Sequence, residues 1–408
     1  MARQGYNATV IKEENDIRIK DIIFKNAPIS RGEVASNLSL TLPAITGRVS
    51  EMLKEGILIE TEKNDSSEKS VGRKPQYLQI NPEFGYVIGI ETGPYMTGVS
   101  LMNAAGKIVR ETALPLMPGS YDDMVQFTKR YVDNVLKENH IRKKDVIGVG
   151  VGLPGFVDNK AGVVRSSKRN DWNGKPLADD LAGLLKIPVV IDNNVRVRAI
   201  REEYCSSSTY RPATFLYYFV SYGVSSTLLI NHDIFSGYTA GAGEVGHMIL
   251  NYDPCNKKDC RCLENYGSEL AIINRCSKAV RDGKCQVLKT ICSNPDELTM
   301  KEIMNAAGQG DADVKHIIAE SMEYLGVGLA NVVNFINPKL VLVEGYVMGA
   351  DENRETLQKT VYENLFGLNS SEVKIEFIPF NKFSGSRGAG MLALKKFLIE
   401  QDIQRVAK

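Results

Sequence analysis

Residues 30–56 read SRGEVASNLSLTLPAITGRVSEMLKEG, and the punctuation of this stretch decides how the chain begins to fold. Ser30-Arg31-Gly32-Glu33 has the serine-to-glutamate spacing of a capping box and leads into Val34, Ala35 and Leu38. A turn of two or three residues follows at Leu38-Ser39-Leu40. Thr41 then stands where a helix cap belongs. Pro43 is tolerated just behind it, because first-turn amide hydrogens lack helical partners anyway. Ile45, Val49, Met52 and Leu53 fall at i, i+4, i+7 and i+8, which predicts one buried face. Gly56 stops the helix.

Upstream, Ile17, Ile22, Ile23 and Phe24 predict a short amphipathic helix over Asn15 to Lys25, ended by Pro28. Downstream come Ile57-Leu58-Ile59-Glu60, a polar run over 63–70, and Tyr77-Leu78-Gln79-Ile80, which reads as strand, loop, strand. Three helices followed by such a wing form a winged helix-turn-helix, whose third helix enters the DNA major groove. The face it turns outward carries Thr41, Ala44, Thr46, Gly47, Arg48 and Ser50, and Arg31 opens the preceding helix. Arg48 suits a guanine edge or a phosphate, and the hydroxyls suit phosphates or base edges. Gly47 inside a helix costs about 1 kcal/mol relative to alanine. Either it lets the backbone approach DNA closely or it is a tolerated imperfection. Just past the polar run and before Tyr77, Gly72-Arg73-Lys74-Pro75 holds Arg73 and Lys74 extended, fit for a narrow A·T-rich minor groove; a basic linker is the alternative. Winged helices also dock proteins, so the pattern alone leaves that use open.

The remaining chain is too long and too apolar for a mere tail. It brings the total to 408 residues, 43% hydrophobic and 24% charged, with 50 basic against 49 acidic side chains. Such a balance excludes a polybasic nucleic-acid coat and a disordered, highly charged chain. No stretch reaches the roughly 18 apolar residues of a membrane span, and the charged N-terminus has no signal-peptide core, so a cytoplasmic address is expected. From Pro82 the pattern becomes α/β. Strands are expected at Tyr86–Ile90, Thr97–Met102, Val146–Val151, Val189–Ile191, Phe215–Val220, Thr227–Ile230 and Leu340–Val343, with a helix over Asp122–Glu138. Asp192-Asn193-Asn194 closes one strand at the carboxyl end, where open α/β sheets bind ligands. No internal repeat is visible.

These residues together resemble the ROK family (repressors, open reading frames, kinases), which includes xylose-repressor-like regulators and sugar kinases. The resemblance runs through Pro28-Ile29-Ser30-Arg31, Gly72-Arg73-Lys74-Pro75, Gly152-Leu153-Pro154-Gly155, Gly243-Glu244-Val245-Gly246-His247 and Cys262-Leu263-Glu264. It implies an α/β fold in which the winged helix-turn-helix (1–81) precedes a two-lobed actin/hexokinase-like domain. The first lobe spans 82–200 and is completed by a C-terminal helix at 385–404; the second spans 201–384. By the same resemblance Asn193, Asn194, Glu244, His247 and Glu264 line a sugar site.

Departures from the kinase members point away from phosphoryl transfer. Those enzymes carry an aspartate as general base where this chain has Asn194, and a carboxamide is not a useful base near neutral pH. The first phosphate loop reads Glu91-Thr92-Gly93-Pro94-Tyr95 instead of Asp-x-Gly-Gly-Thr, the second reads Ser221-Tyr222-Gly223-Val224-Ser225, and a late Gly-Gly is Glu344-Gly345. The expectation is a sugar sensor that uses no ATP. An eroded cleft that merely supports dimerisation is the alternative.

Three of the seven cysteines, Cys255, Cys260 and Cys262, fall within eight residues. With His247 they form a candidate tetrahedral Zn²⁺ set of structural type. Relatives resemble Cys-x-Cys-x4-Cys-Leu-Glu, and Lys257 stands at one cysteine of that pattern, so a decayed site of free thiols is the alternative. Cys205, Cys276, Cys285, Cys292 and Trp172 read as ordinary packing residues. The partners expected are palindromic operator DNA, A·T-rich if Arg73 and Lys74 act as described, a sugar or sugar phosphate effector, and further copies of the chain as homodimer or homotetramer, with no membrane.

Overall fold

The computed structural model describes residues 8–62, 76–93, 95–116, 119–167, 170–205, 211–252 and 261–400. The chain divides into two compact units, one running to Ser207 and resuming at Phe383, the other Ser208–Lys382. Each is described by itself.

The first unit opens with helix α1 (Ala8–Asn26), strand β1 (Ile29–Ser30), and helices α2 (Arg31–Leu38) and α3 (Leu42–Lys54). Strands β2 (Leu58–Thr61) and β3 (Tyr77–Ile80) follow, and β1 and β2 flank β3 antiparallel, which makes the wing. The capping box at Ser30 is present: its hydroxyl accepts from the Glu33 amide at 3.2 Å and the Glu33 carboxylate accepts from the Ser30 amide at 2.7 Å. Ser39 ends α2 in the left-handed region, at φ 54°. Thr41 occupies the cap position of α3 but makes no side-chain cap bond. Ile45, Val49 and Met52 are buried as the spacing predicts, whereas Leu53 is only half-buried. Helix α1 begins seven residues earlier than the expected Asn15. Val10 and Ile11 are 42% and 45% exposed, so that turn has no apolar stripe to announce it.

The rest of this unit is a five-stranded sheet of β4 (Tyr86–Thr92), β5 (Thr97–Asn103), β6 (Ile108–Leu114), β7 (Val146–Leu153) and β10 (Val189–Asn193), in the order β10-β7-β4-β5-β6. A small hairpin, β8 (Phe156–Asp158) with β9 (Val163–Ser166), follows β7. Helices α4 (Tyr121–Glu138) and α5 (Leu177–Leu185) share one core with Ile88, Ile90, Val149, Val151 and Ile191. The opposite face alternates to glycine, as strand periodicity requires. A Cβ on Gly89 would collide with the Ser386 carbonyl, and one on Gly150 with that of Ala389. That face is where α13 (Ser384–Leu394) lies flat beside α6 (Asn194–Cys205).

The second unit has a five-stranded sheet of β11 (Phe215–Val220), β12 (Val224–Ile230), β13 (Asp233–Ile234), β16 (Leu340–Gly345) and β17 (Lys374–Phe377), ordered β13-β12-β11-β16-β17. The hairpin β14 (Ile249–Asn251) with β15 (Arg261–Cys262) and the short helix α7 (Leu263–Gly267) precede five further helices. These are α8 (Glu269–Arg281), α9 (Gln286–Ile291), α10 (Met300–Gly308), α11 (Ala312–Ile336) and α12 (Asp351–Glu363). They pack with Leu216, Tyr218, Val220, Val341 and Val343 into one core. Numbered within its unit, each sheet has the same order, 3-2-1-4-5. In each, the first three strands run antiparallel and the last two join in parallel. The repeat missing from the sequence is present in the topology.

Candidate functional site

Helix α3 displays its first two turns. Thr41, Leu42, Pro43, Ala44, Thr46 and Gly47 are exposed, and Arg48 and Ser50 are half-buried. A Cβ added at Gly47 would meet nothing within 4 Å, so no described neighbour requires a glycine there. The hydroxyls of Thr46 and Ser50 donate back to the carbonyls of Leu42 and Thr46, at 2.8 and 2.7 Å. Arg48 is engaged within the head: its Nε donates to Asp16 Oδ1 of α1 at 2.6 Å, and the guanidinium also pairs with Asp16 Oδ2 and Glu51. Sequence reading could not find this clamp, because Asp16 is 32 residues away. Arg31 donates to Glu60 at 2.6 Å and ties α2 to β2. Arg73 and Lys74, with the rest of Gly72–Pro75, lie outside the described residues.

In the first unit, Asn193 and Asn194 sit where β10 passes directly into α6. The Asn193 side chain is buried and internally committed. Its oxygen accepts from the amides of Val195 (2.8 Å) and Arg196 (3.3 Å), and its nitrogen donates to the Gly155 carbonyl at 2.9 Å. It is thus the cap of α6 and the tether of the Pro154-Gly155 loop. Asn194 is half-buried, and its carboxamide has no hydrogen-bond partner among the described residues. Behind them Asp192 accepts from Arg196 at 3.2 Å and from Asn159 at 3.2 Å. Burial outweighs the Arg196 charge and lifts the Asp192 pKa to about 6.

The carboxylate of Glu91 ends up inside the protein. Arg198 of α6 grips it with two bonds of 2.8 and 2.9 Å, both side chains being buried. A Cβ on Gly385 would collide with that carboxylate, so Glu91 lies against the first turn of α13, where the helix dipole favours an anion. Sequence reading missed Arg196 and Arg198. Two arginines in the otherwise apolar Val195–Ile200 are the signal that pointed to buried partners.

In the second unit, Gly243–His247 folds onto β12. Gly243, at φ 102°, and Gly246 approach the backbone of Ser226 and Val224 too closely for a side chain. A Cβ added at Gly246 would also lie 3.3 Å from the Glu264 Cβ, and one added at Gly223 would lie 2.7 Å from a Glu264 carboxylate oxygen. The Glu244 loop, Gly223 and Glu264 therefore form one cluster, with Glu244 and Glu264 half-buried and His247 exposed. Tyr222 and Gly223 make a tight turn, and Val224 and Ser225 already belong to β12, three residues earlier than expected.

Two of the four candidate zinc ligands can be described. Ile249 pairs with Cys262 across β14 and β15, and the Leu263 amide donates to the Met248 carbonyl at 2.8 Å, so the hairpin brings the His247 segment beside Cys262. The Cys262 thiol donates to Asn265 Oδ1 at 3.1 Å. Cys255 and Cys260 lie outside the described residues. Another cysteine-carboxylate group, Cys285, Asp311 and Asp313, has its ligand atoms within 4.8 Å of one another. Its members are committed to backbone caps. Asp311 accepts from Val314 and Leu288 at 3.2 and 3.0 Å, and Asp313 accepts from the Cys285 amide at 2.9 Å. Burial pushes the Cys285 thiol up to about 11, and that of Cys276 to about 12. Trp172 is buried and donates to the Gly119 carbonyl at 3.1 Å, a packing role. No described helix is long and apolar enough to cross a membrane.

Comparison with known proteins agrees with both parts of the chain. A profile described as ROK family matches residues 87–396, and one described as winged helix-turn-helix DNA-binding matches 12–59. A xylose repressor of Caldicellulosiruptor bescii is 28% identical over 340 residues, covering 83% of this chain and 84% of its own. The crystal structure of a ROK family transcriptional regulator, a homologue of the Escherichia coli Mlc protein, superposes with a TM-score of 0.78 at 21% identity, covering 95% of this chain and 98% of the other. A ROK glucokinase from Streptomyces griseus, solved with glucose and AMPPNP, gives 0.65 at 22% identity over 76% of this chain and 99% of its own.

Proposed function

The chain belongs to the ROK family, and on that premise we propose that it is a sequence-specific DNA-binding regulator. It represses carbohydrate uptake or catabolism genes, and a sugar or sugar derivative modulates its operator binding. The observation that carries this reading is the winged-helix head, whose α3 leaves its first two turns uncovered on a ROK body. Recognition-helix residues at that position contact base edges, and paired heads match palindromic half-sites, which calls for a homodimer or homotetramer. Thr41, Thr46, Gly47 and Ser50 meet the groove. Arg31 and Arg48 exchange their internal carboxylates for DNA, and Arg73 and Lys74 reach the adjoining minor groove. The name of the Caldicellulosiruptor relative makes xylose the first effector to try.

The sugar contacts are Asn194 in the first unit and Glu244, His247 and Glu264 in the second, while Asn193, spent on the α6 cap and the Gly155 carbonyl, positions Asn194. Asn194, without an internal partner, donates and accepts hydrogen bonds to hydroxyls but accepts no proton from them. This favours a sensor over a kinase: Asn194 stands where the kinases carry their general base, and an internal arginine holds the Glu91 carboxylate. Zn²⁺ on His247, Cys255, Cys260 and Cys262 would hold the loops bearing His247 and Glu264, a structural role that leaves no open coordination position.

The deciding experiment selects an operator from random duplexes and measures its anisotropy with the full-length protein at fixed salt, against pentoses, hexoses, amino sugars and their phosphates. One compound is expected to change operator affinity at least about tenfold, within the usual span of allosteric coupling. Affinity indifferent to every compound sinks the sensor reading. ATP consumption with any of these sugars in a coupled assay supports the kinase alternative.

A further inference from the structure

We propose that Glu203 and Tyr204, at the far end of α6, are positioning residues that carry effector occupancy to the DNA-binding head by holding α1. This rests on the sensor reading above and names its internal route. The route lies wholly in the first unit. α6 begins at Asn194, the carboxamide offered to the sugar, and its twelve residues span about 18 Å at 1.5 Å each. Near its other end, Glu203 accepts from Lys25 of α1 at 2.8 Å, and the Tyr204 hydroxyl donates to Asp21 of α1 at 2.7 Å. Lys25 also lies 4.6 Å from the centre of the Tyr204 ring, and Phe24 meets that ring edge-on at 5.8 Å. Burial opposes the Lys25 charge, but Asp21 and Glu203 more than offset it, and its pKa is raised.

Between those ends α6 has little freedom to bend. Val195 to Ile200 are all buried, and so are Glu202 and Glu203. Arg196 is fixed to Asp192, Arg198 is fixed to Glu91, and Gly388 of α13 presses on the Val197 carbonyl. Close-packed interiors pass displacement on because they compress little. A second rod runs alongside. α13 starts against Glu91, continues into a π-helical turn over Lys395–Ile399, and there the Leu398 carbonyl accepts from the buried Lys20 of α1 at 2.8 Å. α6 begins at the carboxamide offered to the sugar and α13 at the buried Glu91 carboxylate, and both runs end on α1, the helix that also grips Arg48 of α3 through Asp16. A shift at Asn194 therefore reaches the head through α1.

The test uses the full-length protein, its selected operator and the sugar found active. The readout is the ratio of operator Kd with and without sugar, alongside sugar affinity by calorimetry. Glu203→Gln with Tyr204→Phe removes the charge and the hydroxyl at nearly constant volume. In this double variant the ratio is expected to fall from at least about tenfold to below about threefold, while the sugar still binds. Lys25→Glu should break the contact likewise, and Lys25→Glu with Glu203→Lys should restore the ratio, which a merely structural role would not achieve. A wild-type ratio in a folded double variant, or a swap that restores nothing, overturns the proposal. A ratio of one in the unmodified protein instead removes the sensor reading, and this inference with it.

Discussion

Two single residues put numbers on how this chain is built. Gly47 has a helical position, no close neighbour and an outward direction, so Gly47→Ala should stabilise the head by about 1 kcal/mol through helix propensity. A thermal melt checks that, and operator affinity measured beside it separates the two readings of the glycine: weakened binding means close backbone approach, and unchanged binding means a tolerated imperfection. Asp192 gives a pH signature. Its carboxyl titrates at about 6 in the folded chain, against an ordinary value of 3.8. Between about pH 4 and 6 the folded state thus binds more protons than the unfolded one, and Asp192 costs stability as pH rises through that window. Asp192→Asn should remove this slope, so that urea midpoints of the two proteins converge at pH 4 and separate in the variant's favour by pH 7. Arg198 was not legible as a buried charge, since its partner Glu91 lies 107 residues away on β4, and Asp192, although paired with Arg196 only four residues on, read simply as the ligand-facing end of a strand. The caps and glycine stops were legible, because Ser30, Glu33 and Gly56 act on their immediate neighbours.

At the scale of elements, patterning predicted the long strands and the helices and hairpin of the winged helix, though not β1 or the first turns of α1, and it failed where the cause lies in another element. β6 was not anticipated: its residues are mostly exposed or half-buried, so nothing alternates cleanly along it. β10 runs two residues past its apolar run, to Asn193, because Asp192 and Asn193 pair with Gly152 and Leu153 of β7. The contact of α13 with the sheet is similarly invisible in sequence, yet it leaves no room for a side chain at Gly89 or Gly150. Gly89→Ala or Gly150→Ala places a methyl group on a carbonyl of α13, and overpacking that must displace a helix costs about 1–3 kcal/mol or more. Either variant should lower the melting temperature by several degrees, while Gly183→Ala on α5, with open space around it, should not. Ser30→Ala removes a capping-box hydroxyl and should cost about 1 kcal/mol, read as earlier unfolding of the head.

For the molecule as a whole, charge predicts how it handles DNA. Residues 1–80 contain 12 Lys/Arg and 11 Asp/Glu, and Arg31, Arg48 and Lys25 already hold carboxylates. Few cations are left for phosphates, so the slope of log affinity against log salt should be shallow, about 3–4 if Arg31, Arg48, Arg73 and Lys74 each reach a phosphate in one head. A slope near 10 per head would contradict that. Metal analysis of chelator-free protein should give about one zinc per chain, and a clear shortfall rejects the four-ligand set. The uncovered turns of α3 have one more consequence, which concerns how such a protein changes its address. Leu42, Pro43, Ala44 and Gly47 are exposed, and Gly47 faces open space, so this surface can be rewritten at little cost to the domain beneath it. A sensor body with that arrangement can be redirected to new promoters by a handful of substitutions, in evolution or in the laboratory, while keeping the sugar it answers to.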